Sequence, residues 1–226
     1  MIKVLYFEYI FKIILNFTRY AYLKASIRSC KINSSMIYGL ILAGGYSSRA
    51  KTNKLLLEVN GKPLISYAID SLRDYVDQVI VVTGRYDQEL RPILNNVKVI
   101  YNPNFIDGMF SSVLTGLSLV DDDVLILPGD IANVSKETIK KIIDNKGIIT
   151  IPTYKGEGGH PLFLNKEMVL LVKQQNRNSN LKEFINNNIN KVNYVEVDDS
   201  FINFDIDTIE DYNHFLAHRK EASYEG

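Results

Sequence analysis

An apolar run ends in Leu42-Ala43-Gly44-Gly45-Tyr46-Ser47-Ser48-Arg49, and Lys54 follows five residues later. Adjacent glycines let a backbone turn tightly and bring N–H groups against phosphate oxygens. Ser47 and Ser48 add donors, and Arg49 with Lys54 can neutralise a triphosphate. Neither a G-x-x-x-x-G-K-[ST] loop nor a G-x-G-x-x-G dinucleotide fingerprint is present. An ordinary turn uses the same glycines, so the pair alone leaves both readings open.

Two aspartates are candidates for a metal. Asp130 closes the run Val124-Leu125-Ile126-Leu127-Pro128-Gly129-Asp130, at the C-terminal edge of a strand, where open α/β sheets bind ligands. It can hold Mg²⁺ or finish a turn. Asp205 in Phe204-Asp205-Ile206-Asp207-Thr208 is the second candidate, while Asp207 suits a helix N-cap. Mg²⁺ commonly takes one or two carboxylates and completes its shell with substrate phosphates, so two aspartates from distant segments suffice. On the acceptor side, Asn102-Pro103-Asn104-Phe105-Ile106-Asp107-Gly108-Met109-Phe110-Ser111-Ser112 leads into a helix. Gly108, Met109, Ser111 and Ser112 there are substrate-binding candidates, or an ordinary capped helix start. Gly158-Gly159-His160-Pro161 marks a turn whose histidine is either structural or a further acceptor contact.

These residues need a scaffold, and the pattern from Ile37 onward supplies one. Strands are expected at residues 37–42, 78–83, 97–101, 123–127, 147–152 and 192–197, with a short one at 162–164. Helices are expected at residues 63–72, 87–94, 111–120, 135–145 and 208–219. This alternation implies an α/β fold, a mainly parallel sheet with helices on both faces. The Asn-rich stretch 174–190 reads as low-complexity sequence, two short helices split at Asn176–Ser179.

The string LAGGYSSRAKTNKLLLEVNGKPLISYAI resembles the signature of nucleotidyltransferases that include the molybdenum cofactor guanylyl- and cytidylyltransferases and the sugar-phosphate pyrophosphorylases. N-P-x-x-x-x-G-M-x-S-S and G-H-P, in this order, are similar to the cytidylyltransferase branch. The resemblance implies a single-domain Rossmann-like fold of the nucleotide-diphospho-sugar transferase type. It implies that Leu42, Ala43, Gly44, Gly45 and Thr83 line the nucleotide, Arg49 meets the phosphates and Lys54 stabilises the attacked α-phosphate. It implies Mg²⁺ on Asp130 and Asp205, CTP favoured over GTP, and molybdopterin or its molybdenum-loaded form as acceptor. A sugar 1-phosphate acceptor, or a non-catalytic accessory handing cofactor to a molybdenum enzyme, is the alternative. Transfer would be an in-line displacement needing no Ser, Cys or His nucleophile.

Composition bounds the rest. The chain has 226 residues, 46% of them hydrophobic, enough for one sizeable core. Basic and acidic residues both total 26, so nucleic acid is not an expected partner. The division expected is an extension at 1–35, a nucleotidyltransferase domain at 36–220 and a tail at 221–226. Up to Met36, six basic residues stand against Glu8 alone, leaving the remainder net acidic. Glu8, Lys12 and Arg19 interrupt the apolar stretch Val4 to Tyr22 before it could span a bilayer. It reads as an incidental extension or as a helix lying on a membrane surface or a partner, membrane contact being the minor alternative. With one cysteine, Cys30, no disulfide framework exists, and a cytoplasmic enzyme is expected.

Overall fold

The computed structural model describes residues 35–45, 53–131, 133–206 and 209–222. The expected extension at 1–35, apart from Ser35, and the expectations for Arg49 and Asp207 lie outside the described residues. Met36–Gly226 forms one compact unit.

Its frame is an eight-stranded sheet. In chain order the main elements are β1 (Ile37–Ala43), α1 (Leu64–Arg73), β2 (Gln78–Thr83), β3 (Lys98–Tyr101), α2 (Met109–Leu117), β4 (Asp123–Pro128) and α3 (Lys136–Asp144). They continue with β5 (Ile149–Tyr154), β6 (Leu162–Leu164), α4 (Lys166–Lys173), α5 (Leu181–Asn187), β7 (Val192–Glu196) and α6 (Ile209–Ala222). The strand order is β7-β5-β6-β4-β1-β2-β3, with the short strand Glu157–Gly158 paired to β5. β1 pairs in parallel with both β2 and β4, so the chain runs outward from β1 through β2 to β3 and then returns to β1's other side. That reversal leaves a crevice at the C-terminal ends of β1 and β4, where ligands bind in sheets of this kind.

The strands read as continuous apolar runs because both faces are covered. Ile41, Val79, Val81, Leu125 and Leu127 face Ile65, Ala68 and Leu72 of α1 and Ile139 and Ile142 of α3. Their neighbours Leu40, Ile80, Val82, Val124 and Ile126 face Val113 and Leu117 of α2, Met168 and Val172 of α4 and Phe184 of α5. A smaller cluster joins α6, through Phe215, to Val59, Leu64 and Ile206.

Three local departures from the sequence pattern have physical causes. The expected helix at 87–94 is one α-turn, Asp87–Leu90, followed by a 3₁₀ turn over Arg91–Ile93, since Pro92 donates no backbone hydrogen bond. α2 starts at Met109 with Gly108 as its N-cap, two residues before the expected start. α4 was not expected; Asn165 caps it by accepting from the Met168 N–H, and Met168, Val169 and Val172 are its buried face.

Candidate active site

The crevice contains a cavity of about 290 Å³ lined by residues of the β1 loop, the β4 turn and the segment before α2. Hydrogen bonding ties the first two together: β1 and β4 pair at Leu42 and Pro128, and the Gly129 N–H donates to the Leu42 carbonyl at 2.9 Å. Leu42, Ala43, Gly44 and Gly45 therefore border the cavity beside Pro128 and Asp130.

Glycine is required where these loops meet. A Cβ on Gly44 would lie 2.5 Å from the Ser112 hydroxyl oxygen, and one on Gly84 would lie 2.6 Å from the Gly44 carbonyl oxygen. Two loops from neighbouring strands thus touch backbone to backbone, fixing the first glycine of the pair against the end of β2.

Lys54 begins a 3₁₀ turn, Lys54–Leu56, capped by Asn53, whose Oδ1 accepts from the Leu55 N–H at 3.2 Å. The Lys54 Nζ lies 2.7 Å from Asp130 Oδ2, and both side chains are partly buried. An ammonium and a carboxylate from segments far apart in sequence are thus held in contact on the cavity wall. Each neutralises the other, and each is placed to engage an anion or a cation respectively.

The segment before α2 is organised by Asn102. Its side chain is fully buried; Nδ2 donates to Ser111 Oγ at 2.8 Å and to Ser112 Oγ at 3.0 Å, and Oδ1 accepts from the Asn104 N–H at 2.9 Å. Ser111 Oγ in turn lies 2.8 Å from the carbonyls of both Asn104 and Gly108, which compete for its one proton, so its hydroxyl faces into the loop, whereas Ser112, Gly108 and Met109 border the cavity. Thr83 is also turned inward: its hydroxyl donates to Asp87, which pairs with Arg91 at 2.7 Å. Burial raises the Asp87 pKa, but the hydrogen bonds from Arg91 and Thr83 outweigh it and hold the carboxyl below its ordinary range. Asp205 is exposed, in the segment leading to α6, and does not border the cavity.

Several cavity residues carry no motif. Tyr86, Phe105 and Ile106 add apolar wall, and Asn53 is 6% exposed. Asn53 Nδ2 and His160 Nδ1 are the two buried side-chain polar atoms, among the described residues, that make no hydrogen bond. Leaving such a group unmade costs about 1–3 kcal/mol. For Asn53, its place directly before Lys54 was the available signal; for Tyr86, Phe105 and Ile106 there was none beyond proximity to Thr83 and Gly108.

His160 borders a second groove of about 610 Å³ with Ile151, Leu162, Ile185, Lys182 and Tyr194, and Met109 borders both cavities. Burial pushes the His160 imidazole below its ordinary value, against the pull of the Ile126 carbonyl and the Asp130 carboxylate, so the ring is neutral at pH 7. The unfolded chain therefore takes up a proton near pH 6.5 that the folded chain refuses. Stability is complete above that pH and declines as pH falls below it, levelling off only beneath the folded-state pKa. Melting temperatures between about pH 7.5 and 5 should fall less steeply in His160→Gln than in the wild type; equal slopes would mean the ring is hydrated.

Taken with the sheet, this arrangement defines a Rossmann-like nucleotidyltransferase. The chain belongs to the MobA-like NTP transferase domain family, whose model matches residues 39–192. Molybdenum cofactor cytidylyltransferase of Escherichia coli (strain K12) is 27% identical over 185 residues, covering 79% of this chain and 94% of that protein. A probable molybdenum cofactor guanylyltransferase of Natranaerobius thermophilus is 28% identical over 177 residues, covering 73% and 83%. A nucleotidyl transferase from Methanothermobacter thermautotroptrophicus superposes with a TM-score of 0.73 at 24% identity, over 83% of this chain and 99% of that one. Among the described residues, no helix is long and apolar enough to cross a membrane.

Proposed function

We propose that the enzyme transfers a nucleoside monophosphate from an NTP, CTP before GTP, to a terminal phosphate of a molybdopterin-type acceptor, releasing pyrophosphate. The observation that carries this reading is the contact between Lys54 and Asp130 on the wall of the crevice cavity. The preference for cytidylyl transfer rests on the Asn102–Ser112 and Gly159-His160-Pro161 motifs and on the cytidylyl relative, which matches more of both chains than the guanylyl one.

In this scheme the nucleotide lies along Leu42–Gly45, and an acceptor phosphate oxygen bonds to the α-phosphorus as the bond to the bridging oxygen of the β-phosphate breaks. Lys54 faces the α-phosphate and opposes the charge that accumulates on its oxygens. Arg49, four residues after Gly45 in the sequence, serves the outgoing phosphates. The cavity offers Asp130, and no cluster of three His, Cys, Asp or Glu occurs among the described residues. That donor set fits Mg²⁺, which binds through one or two carboxylates and completes its shell with phosphates and water. Bound there, the ion would lend positive charge to the triphosphate; Asp205 is the second carboxylate to test.

The acceptor would occupy the neighbouring groove. Ile151, Leu162 and Tyr194 suit a flat ring system, Lys182 suits its phosphate, and Met109 connects the groove to the nucleotide. His160 borders it as a neutral ring with an unused nitrogen.

The deciding experiment incubates the enzyme with each of four NTPs and Mg²⁺, with molybdopterin, with a sugar 1-phosphate, or with no acceptor, and follows pyrophosphate release. Release with CTP and molybdopterin alone supports the proposal. Release with a sugar 1-phosphate but not molybdopterin would replace the acceptor, and no release with any pair would sink the reading.

A further inference from the structure

Asp130 has two uses that compete. The Lys54 ammonium lies 2.7 Å from its Oδ2, and with the lysine side chain 16% exposed and the aspartate 24%, water screens the pair only in part. Among the described residues no other cation pairs with Asp130. Both residues also border the crevice cavity, and neither side chain is closed to solvent. Mg²⁺ binds carboxylate oxygens at about 2.0–2.1 Å, so on this carboxylate it would crowd that ammonium. One negative charge cannot balance both cations, and like charges so close on a partly buried wall repel. A polyphosphate without metal meets the converse difficulty: it draws Lys54 away and leaves the Asp130 carboxylate uncompensated beside its oxygens. When the two arrive together, the ammonium passes to the phosphates and the carboxylate to the metal, and every charge keeps a partner.

We infer that the Lys54–Asp130 pair is an interlock that selects the metal–nucleotide complex: Lys54 keeps free divalent cations off Asp130, and Asp130 keeps metal-free polyphosphate off Lys54. The inference rests on the nucleotide reading of this cavity. Each side chain thereby acts on the ligand it does not itself hold, and by linkage either ligand favours the other through this exchange of partners.

The test uses the full-length protein with two probes added separately: Mn²⁺ alone for the metal, and inorganic tripolyphosphate in a metal chelator for the phosphates. Water-proton relaxation should show Mn²⁺ bound at least about tenfold more tightly by Lys54→Met than by wild type, and the gain should vanish when Asp130→Asn is added to it. Titration calorimetry should show metal-free tripolyphosphate bound at least about tenfold more tightly by Asp130→Asn than by wild type. Both are gains of binding on loss of a charged group, which a residue that only props the pocket open does not produce. Lys54→Gln repeats the first arm if the methionine variant does not fold. In wild type carrying ¹³C-labelled lysine, the Lys54 ε-carbon resonance should hold still when Mg²⁺ is added alone and move when tripolyphosphate joins it. Wild-type Mn²⁺ affinity in both Lys54 variants, a gain that survives Asp130→Asn, tripolyphosphate binding that is not strengthened in Asp130→Asn, or a Lys54 resonance that moves with Mg²⁺ alone each overturn the interlock while leaving the nucleotide site standing. If wild type binds neither tripolyphosphate nor any NTP even with Mg²⁺, the nucleotide reading itself fails and this inference falls with it.

Discussion

Replacing Lys54 with methionine is expected to lower kcat for pyrophosphate release by about 10²–10³-fold, the loss usual when one preorganised group opposing transition-state charge is removed. Methionine keeps most of the stem's bulk and removes the ammonium. The effect should fall mainly on kcat, because the negative charge on the α-phosphate oxygens grows during transfer. The partner left behind, Asp130, is 24% exposed and can turn to water, so the fold should survive. Steady-state kinetics with saturating NTP and acceptor reads this directly. A loss confined to KM, or one below tenfold, would show that Lys54 only helps to bind the nucleotide. Arginine should rescue poorly, since its broad planar fork replaces a compact charge fitted against one carboxylate.

Asp130→Asn is expected to uncouple nucleotide from metal. A ligand at about 100 times its Kd stabilises the native state by about 2.7 kcal/mol, visible as a rise in melting temperature. Wild type should show that rise with its preferred NTP when Mg²⁺ is present and a smaller one without it, whereas Asp130→Asn should respond alike in both. Asparagine preserves the shape but not the charge, and Lys54 loses its 2.7 Å partner. Some metal-free nucleotide binding should therefore persist or strengthen, which separates a metal ligand from a residue that merely holds the pocket open. Asp205→Asn gives the comparison: it does not border the cavity, and an effect as large as that of Asp130→Asn would mean it closes onto the metal when substrate binds. If Asp130→Asn retains the full Mg²⁺-dependent shift, the metal assignment is wrong.

Much of this was legible in the sequence because it is local. Strands covered on both faces announce themselves as apolar runs, and residues directly after them, such as Gly44, Gly45 and Asp130, inherit the crevice from their position. What periodicity could not convey was pairing and direction. Leu162–Leu164 reads as a strand, yet nothing local says that it enters antiparallel between β4 and β5. Thr83 and Ser111 have the right chemistry at the right places in the chain, but their hydroxyls are claimed by Asp87 and by two backbone carbonyls. Which way a hydroxyl turns at the end of an element depends on which acceptor the fold brings within reach. Asn53 is the converse: only its burial in the fold shows that half of its amide is unmatched.

Met109 is 62% exposed, yet it borders both the crevice cavity and the adjoining groove. If the two substrates sit as proposed, one on each side of that thioether, the product that joins them covalently would be gripped at both ends at once. Its two halves can no longer leave independently, so its residence time should exceed that of either substrate. Turnover would then be governed by how the finished molecule escapes, through the flexing of one unbranched side chain on the rim or by handover to an enzyme that draws it off.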